Sequence, residues 1–270
     1  MFCKSGLVAV SPESKTDTAF TNTNIMKLSV IVPVYNEAGT ISEIVNRISK
    51  LDLDKEIIIV DDGSTDGTRV LLKKKFECQD GIKVIFHPHN CGKGAAVRTA
   101  LNSVKGEIVV IQDADLEYSP DDYYKLIQPI LDGKASVVYG SRFMNVHRWL
   151  WTWHWFQNRF LGKHYEIRYL SHFIAILSLN FIVRLLYGAV ITDEATCYKV
   201  FRKAVIRKIE IKSKGFELCP EITAKVLKQG LKIYEVPISY HPRTTEQGKK
   251  ITWKDGFQAI WTLIKYRFVD

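Results

Sequence analysis

The chain has little that would staple or anchor it. Its five cysteines, Cys3, Cys78, Cys91, Cys197 and Cys219, form no CxxC pair and follow no regular spacing. That speaks against a disulfide framework or a zinc module and for a reducing compartment. No apolar run reaches the about 20 residues that a bilayer span needs. The longest, roughly Phe173–Val190, is interrupted by Asn180 and Arg184, so no transmembrane helix is expected. The N-terminus lacks the apolar core of a signal peptide. There is no internal repeat, and no Ser/His or Cys/His arrangement suggests a nucleophilic enzyme. His87 and His89 flank Pro88 in a loop and receive no role.

What is present is ordinary globular material. Of the 270 residues, 46% are hydrophobic and 25% charged, which excludes a disordered or fibrous chain. The net charge of +9 is unevenly spread: residues 1–146 carry 17 basic and 19 acidic side chains, residues 147–270 carry 21 and 10. An acidic partner would be met by the second half.

Residues 1–26, rich in Ser, Thr and Asn, read as a flexible tail, and a single domain is expected over 27–270. There, short apolar runs alternate with helical periodicity. Leu28–Pro33, Glu56–Val60, Lys83–Phe86, Glu107–Gln112 and Ser136–Tyr139 read as buried strands. Thr40-Ile-Ser-Glu43 reads as a capping box, with Ile41, Ile44, Val45 and Ile48 at helical spacing. Helices are also expected around 70–72, 93–104, 121–131 and 215–229, with a strand over Leu231–Ser239. Continuous apolar strands alternating with helices imply an α/β fold, a mostly parallel sheet covered on both faces. Ligands of such sheets bind beyond the carboxyl ends of the strands.

Residues 146–190 break the pattern. Trp149, Trp151, Trp153 and Trp155 lie among Arg148, Arg159, Lys163 and Arg168. The segment reads as a core helix, a helix packed on a partner chain, or an amphipathic helix at a membrane interface. Residues 253–268 read as an aromatic, basic, amphipathic C-terminal helix, and 242–250 as a basic loop.

The polar clusters carry the chemistry. Asp113-Ala114-Asp115 directly follows the fourth strand. In extended chain, positions i and i+2 point to one side, so both carboxylates are expected to face one cation, and Glu117 keeps that parity. Mg²⁺ or Mn²⁺ takes such oxygen ligands and shares them with substrate phosphates. Asp61-Asp62 ends the second strand; there a carboxylate could accept a hydrogen bond from a base or a ribose, although Asp-Gly-Ser is also ordinary turn chemistry. After the first strand, Tyr35 could cover a base and Glu37 bind a ribose.

Taken in order, Pro33–Glu37, Asp61–Asp66, Asn90-Cys91-Gly92-Lys93-Gly94, Asp113–Glu117 and Gly140-Ser141-Arg142-Phe143 resemble family 2 glycosyltransferases of the Rossmann-like GT-A fold. The most similar branch contains dolichol-phosphate mannosyltransferase and the bacterial polyprenyl-phosphate glycosyltransferases. The resemblance implies that Pro33, Tyr35, Glu37, one of Asp61 or Asp62, and Ala114 bind a nucleotide sugar. It implies that Asp113 contacts ribose or sugar, that Asp115 ligates Mg²⁺ or Mn²⁺ on the diphosphate, and that Asp113 and Glu117 complete the metal set. Glu117 stands where those mannosyltransferases more usually carry Gln. Arg142 matches an arginine near the transferring sugar, and Arg243 with Lys249 matches a pair on a loop over the phosphates. Thr196-Cys197-Tyr198-Lys199 matches a segment near sugar and acceptor, with Lys199 as a donor-binding candidate.

The implied reaction is inverting, metal-dependent transfer from GDP-mannose or a UDP-sugar to a polyprenyl or dolichyl phosphate. The enzyme would be cytoplasmic, peripheral at the cytoplasmic face of a membrane, with no nucleic-acid partner. The alternatives are a family 2 glycosyltransferase with a soluble or protein acceptor, and a non-catalytic nucleotide or nucleic-acid binding module.

Overall fold

The structure is a computed structural model, and it describes residues 27–144, 167–243 and 253–269. Seven strands form one sheet: β1 (Leu28–Val34), β2 (Lys55–Asp61), β3 (Ile82–Phe86), β4 (Ile108–Ile111), β5 (Val137–Ser141), β6 (Lys199–Arg202) and β7 (Ile233–Pro237). Their order across the sheet is β3-β2-β1-β4-β6-β5-β7. All neighbours are parallel except that β6 runs against both β4 and β5. The expected mostly parallel α/β sheet is therefore present. The antiparallel β6 was not foreseen: four residues are too short to show a period, and Lys199 at its start looks polar.

Helices cover the sheet. They are α1 (Ile41–Lys50), α2 (Thr68–Lys75), α3 (Lys93–Leu101), α4 (Tyr123–Leu131), α5 (Ile167–Tyr187), the single turn α6 (Lys203–Ile206), α7 (Leu218–Lys228) and α8 (Trp253–Phe268). In α1 the spacing does what it implied: Ile41, Ile44, Val45 and Ile48 are fully buried against the sheet. Burying each such side chain contributes about 1.5–3 kcal/mol. The capping box does not form. Thr40 stands at the N-cap without a capping bond. Its hydroxyl instead donates to the Glu37 carboxylate at 2.8 Å, while Glu43 pairs with Arg47 at 2.7 Å.

Every residue of β1 is buried, as a central strand covered on both faces requires. From β1 the chain winds outward through β2 and β3, then returns to the other side of β1 as β4. The order reverses between β1 and β4, and the crevice at such a switch point is where open α/β sheets bind ligands. A second, smaller core lies under α5, α7 and α8, built from Leu179, Val183, Ala224, Ala259, Leu263 and Tyr266. Among the described residues no helix is long and apolar enough to cross a membrane. The N-terminal tail and the Trp149–Trp155 cluster lie outside the described residues.

Candidate active site

The crevice beyond β1 and β4 gathers three acids around one arginine, with a fourth acid, Asp113, beside them. Glu37 follows β1 across Asn36, whose φ is 51°. That left-handed residue is held from both sides: its N–H donates to Ser64 Oγ at 2.9 Å and its side-chain oxygen accepts from the Thr65 N–H at 2.8 Å. The Glu37 N–H donates to Thr68 Oγ1 at 2.9 Å. The turn Gly63–Asp66 after β2 thus fixes the loop after β1.

Past β4 the chain does not stay extended, so the parity argument for Asp113, Asp115 and Glu117 does not describe the geometry. Residues 114–117 make a turn. Leu116 sits at φ 63°, which costs an L-residue about 1–2 kcal/mol. The Glu117 N–H donates to Asp115 Oδ1 at 3.1 Å. The turn still leaves Asp113 and Glu117 near enough for their charges to act on Asp115. Burial first, then the charges of Asp113 and Glu117, push the Asp115 carboxyl up to about 7.

Arg243 closes this group. Its two terminal nitrogens fork onto the Glu37 carboxylate at 3.0 and 3.1 Å. It also lies 3.3 Å from Asp115 and 4.0 Å from Glu117. Its own N–H donates to Glu117 Oε1 at 2.9 Å, and Tyr240 Oη donates to Glu117 Oε2 at 2.9 Å. The Arg243 Nε is buried and has no hydrogen-bond acceptor among the described residues.

Asp113 faces Lys93, the two being 2.5 Å apart. Burial works against the Lys93 ammonium, but Asp113 and the nearby Cys197 and Cys219 outweigh it, and its pKa lies well above the usual lysine value. In sequence Lys93 is one residue of the Asn90–Gly94 motif, with nothing to mark it as a partner of Asp113. The glycines of that motif have a steric reason. A Cβ on Gly92 would stand 2.2 Å from the Lys214 carbonyl oxygen, and one on Gly94 would stand 2.4 Å from that of Ser213. Only glycine lets the two backbones approach that closely, and this approach carries Lys93 to Asp113.

Other candidates lie apart. Asp61 and Asp62 are 0% and 3% exposed. Asp61 accepts from the Ser64 N–H and from Arg69. Asp62 accepts from the N–H groups of Cys91 and Gly92 and faces His87 Nδ1 at 2.7 Å. Both clasp loops. Asp62, His87 and Cys91 also present ligand atoms within 4.8 Å of one another, but the Asp62 oxygens already serve those N–H groups and His87 is held at its other nitrogen by Thr99. Pro33 and Ala114 are buried beside the crevice and Tyr35 is half-buried at its rim. Arg142 follows β5 and forks onto Asp193 with two 2.7 Å bonds, its guanidinium 5.0 Å from the Tyr240 ring centre. Asp193 had no signal as a partner, being 51 positions away in sequence. Lys199 is in the core, its ammonium donating to the Glu194 carbonyl at 2.7 Å and lying 3.6 Å above the Tyr139 ring. Lys249 lies outside the described residues.

Asp113, Asp115 and Glu117 supply the carboxylate oxygens that a hard divalent cation takes, although among the described residues only the ligand atoms of Asp62, His87 and Cys91 all lie within 4.8 Å of one another. All donors are oxygen, the group carries excess negative charge, and the raised Asp115 carboxyl marks a place where added positive charge is favourable.

Comparison with known proteins gives the context. Residues 29–209 match the family described as Glycosyl transferase family 2. The chain is 31% identical over 254 residues to the UDP-N-acetylglucosamine–dolichyl-phosphate N-acetylglucosaminyltransferase of Methanococcus voltae, covering 87% of this chain and 94% of that one. It is 28% identical over 224 residues to the polyprenol monophosphomannose synthase of Mycolicibacterium smegmatis, covering 79% and 77%. Among solved structures, glucosyl-3-phosphoglycerate synthase from Mycobacterium tuberculosis, in complex with Mn²⁺, UDP and phosphoglyceric acid, superposes with a TM-score of 0.65 at 19% identity. That match covers 91% of this chain and 80% of that one, and it bears on the fold alone. With an α/β sheet of this order and a family match across its strands β1 to β6, the chain belongs to glycosyl transferase family 2 and is a glycosyltransferase.

Proposed function

We propose that the chain transfers a sugar, with inversion at the anomeric carbon, from a nucleotide sugar (GDP-mannose or a UDP-sugar) to a polyprenyl or dolichyl phosphate at the cytoplasmic face of a membrane. The observation that carries this reading is the convergence of Glu37, Asp113, Asp115 and Glu117 with Arg243 at the β1/β4 switch point. The relatives named for dolichyl-phosphate and polyprenol-phosphate sugar transfer support the acceptor class.

In this reading Pro33, Tyr35 and Glu37 line the nucleoside side of the crevice, and Asp61 and Asp62 hold the loops that shape it. Asp115, with Asp113 and Glu117, holds Mg²⁺ or Mn²⁺, which when bound supplies positive charge against the departing nucleoside diphosphate. Lys93 orients Asp113. The free Nε of Arg243 offers a charge-assisted hydrogen bond to a phosphate oxygen, and Lys249, six positions on in the sequence, is the second cation assigned to the phosphates. Arg142, fixed in place by Asp193, presents its guanidinium beside Tyr240 on the sugar side. Lys199 keeps the Glu194–Cys197 segment in place from beneath. An acceptor phosphate monoester has a second pKa near about 6 and is a nucleophile without a general base. The residues therefore have to position two anions rather than remove a proton.

The test is a screen of nucleotide sugars with a short-chain polyprenyl phosphate, with and without Mn²⁺ or Mg²⁺. Metal-dependent formation of a lipid-linked sugar is expected. Transfer only to a soluble phosphorylated or protein acceptor would move the enzyme to another acceptor class. Binding of nucleotide sugar without any transfer or hydrolysis would defeat the catalytic reading.

A further inference from the structure

We infer that Glu235, on the edge strand β7, is a positioning residue for sugar transfer, acting on Arg142 through the turn Thr192–Asp193. The inference rests on the reading of Arg142 as facing the transferred sugar, and deepens it by naming what sets that arginine. β7 ends one side of the sheet beside β5, with Glu235 in register with Tyr139. Alternate residues of a strand share a face. Ile233 and Glu235 therefore lie on one face, and Ile233 packs against the smaller core. Neither the strand nor that core calls for an acid there.

What the acid does is visible in its partners. The Thr192 N–H donates to both Glu235 oxygens, at 2.9 and 2.8 Å. The Thr192 hydroxyl donates to Oε1 at 3.0 Å and the Asp193 N–H to the same oxygen at 3.1 Å. Among the described residues every side-chain hydrogen bond of Glu235 thus goes to this one turn, about forty positions earlier in the chain. Asn180 of α5 holds the turn at its outer groups: it donates to the Thr192 carbonyl at 2.7 Å and accepts from the Glu194 N–H at 2.9 Å. The two N–H groups in between are left to Glu235, and buried backbone donors need such an acceptor. The proton order also points to the carboxylate. Ser141 Oγ accepts from the N–H groups of Phe143 and Met144 at 3.2 and 3.0 Å, which fills its two lone pairs. Its proton therefore goes to Thr192 Oγ1, 2.6 Å away, and Thr192 passes its own to Glu235.

The turn in its turn sets Arg142. Asp193 is fully buried, its N–H held by Glu235 on one side and its carboxylate loaded by Arg142 on the other. That carboxylate accepts from the Arg142 backbone N–H at 3.0 Å and from Nε and Nη2 at 2.7 Å each. A two-pronged bond of this kind fixes the plane of the guanidinium as well as its place. The plane lies over the Tyr240 ring, 5.0 Å from its centre, and Tyr240 donates to Glu117. Because the backbone and the side chain of Arg142 end on the same carboxylate, a shift of Asp193 moves both. A group misplaced by about 1 Å can cost an enzyme about a hundredfold. Glu235 touches none of the crevice acids itself, so its effect on the reaction passes through Asp193.

The test is calorimetric titration of the full chain in Mn²⁺, with UDP-N-acetylglucosamine against UDP and GDP-mannose against GDP. Wild type is expected to bind one nucleotide sugar more tightly than its own diphosphate, the difference coming from the sugar side. Glu235→Leu has a similar shape without acceptors. With folding checked by circular dichroism, it is expected to weaken that nucleotide sugar about tenfold or more and the diphosphate less than about twofold. Glu235→Gln keeps an oxygen at the Oε1 position, which takes three of the four contacts, and should return affinity to within about threefold of wild type. The double variant Glu235→Leu/Asp193→Asn is expected to bind the nucleotide sugar no worse than Asp193→Asn alone. If Glu235→Leu does not fold, Glu235→Asp, which withdraws the carboxylate by one methylene, replaces it with an expected loss of about threefold. Unchanged nucleotide-sugar affinity, an equal loss for the diphosphate, or additive losses in the double variant each overturn the proposal. So does a wild type that binds nucleotide sugar and diphosphate alike, and lipid-linked transfer in the screen would then leave the proposed activity standing. Binding of neither nucleotide sugar defeats that activity, and the proposal with it.

Discussion

Asp115 shows how burial and neighbouring charge act on one side chain. Its carboxyl is held up to about 7, by burial first and by Asp113 and Glu117 next, against an ordinary 3.8. A carboxyl raised by folding binds its proton more tightly in the folded chain than in the unfolded one. Metal-free protein should therefore lose stability as pH rises from about 4 to about 7 and regain it on the way down. At about 1.4 kcal/mol per pKa unit, the window is worth at most about 4 kcal/mol. In chelator, the Tm difference between wild type and Asp115→Asn is expected to favour the variant at about pH 8 and to shrink toward pH 5. Added Mn²⁺ should reverse the order at the higher pH, because only wild type gains the ion. The same variant is expected to lose metal-dependent transfer by about a hundredfold or more. A Tm difference that ignores both pH and metal would remove Asp115 from the cation site. Lys93 makes a complementary case. Lys93→Met keeps the stem but takes the charge from Asp113, and kcat/KM for the donor should fall about tenfold or more. An unchanged kcat/KM would reduce Lys93 to packing.

Among elements, the loop entering α3 is set by close backbone contact with residues 213–215 as well as by the Asp62 carboxylate. Gly94→Ala would push a Cβ to 2.4 Å from the Ser213 carbonyl oxygen, whereas Gly39, without a positive φ, has nothing within 4 Å of its Cβ position. Thermal melts should separate them: Gly94→Ala is expected to cost about 1–3 kcal/mol, and Gly39→Ala to be neutral or stabilising by a few tenths of a kcal/mol. Equal melts would mean that the loop 213–215 yields freely. The same contrast explains what could be read from the chain beforehand. Local periodicity exposed α1 and the buried parallel strands, because Ile41, Ile44, Val45 and Ile48 and the run Glu56–Val60 carry their pattern within a few residues. The acids after β4 were legible as a cluster, but their turn was not, since a leucine at φ 63° has no sequence signal. The pairing of Asp193 with Arg142 and the insertion of β6 between β4 and β5 are products of tertiary contact. The diversion of Thr40 from its cap to Glu37 is another: a local rule yields where a site needs the side chain.

At the scale of the whole molecule, the crevice is assembled from three distant stretches, and Arg243 is what joins them. Glu37 lies 206 positions before it in the chain, and Asp115 and Glu117 come from the middle. The guanidinium is the counter-charge of the acid cluster, lying at 3.3 Å from Asp115 and forking onto Glu37. A divalent cation and a diphosphate arriving together would change that balance: the cation takes over the carboxylates, and the diphosphate gives Arg243 a new anion. Removing Arg243 should then move three quantities in different directions. Arg243→Ala is expected to lower the Tm of the metal-free protein, because the acids lose their partner. It should tighten Mn²⁺ binding in the absence of donor, since no fixed cation competes for the carboxylates. It should also raise the KM for the nucleotide sugar about tenfold or more, since a charge-assisted contact to phosphate is gone. Calorimetric titration of Mn²⁺, with and without nucleoside diphosphate, reads the second quantity directly. If Mn²⁺ binds the variant more weakly than wild type in both conditions, Arg243 organises the carboxylates rather than competing for them, and the exchange of partners does not occur.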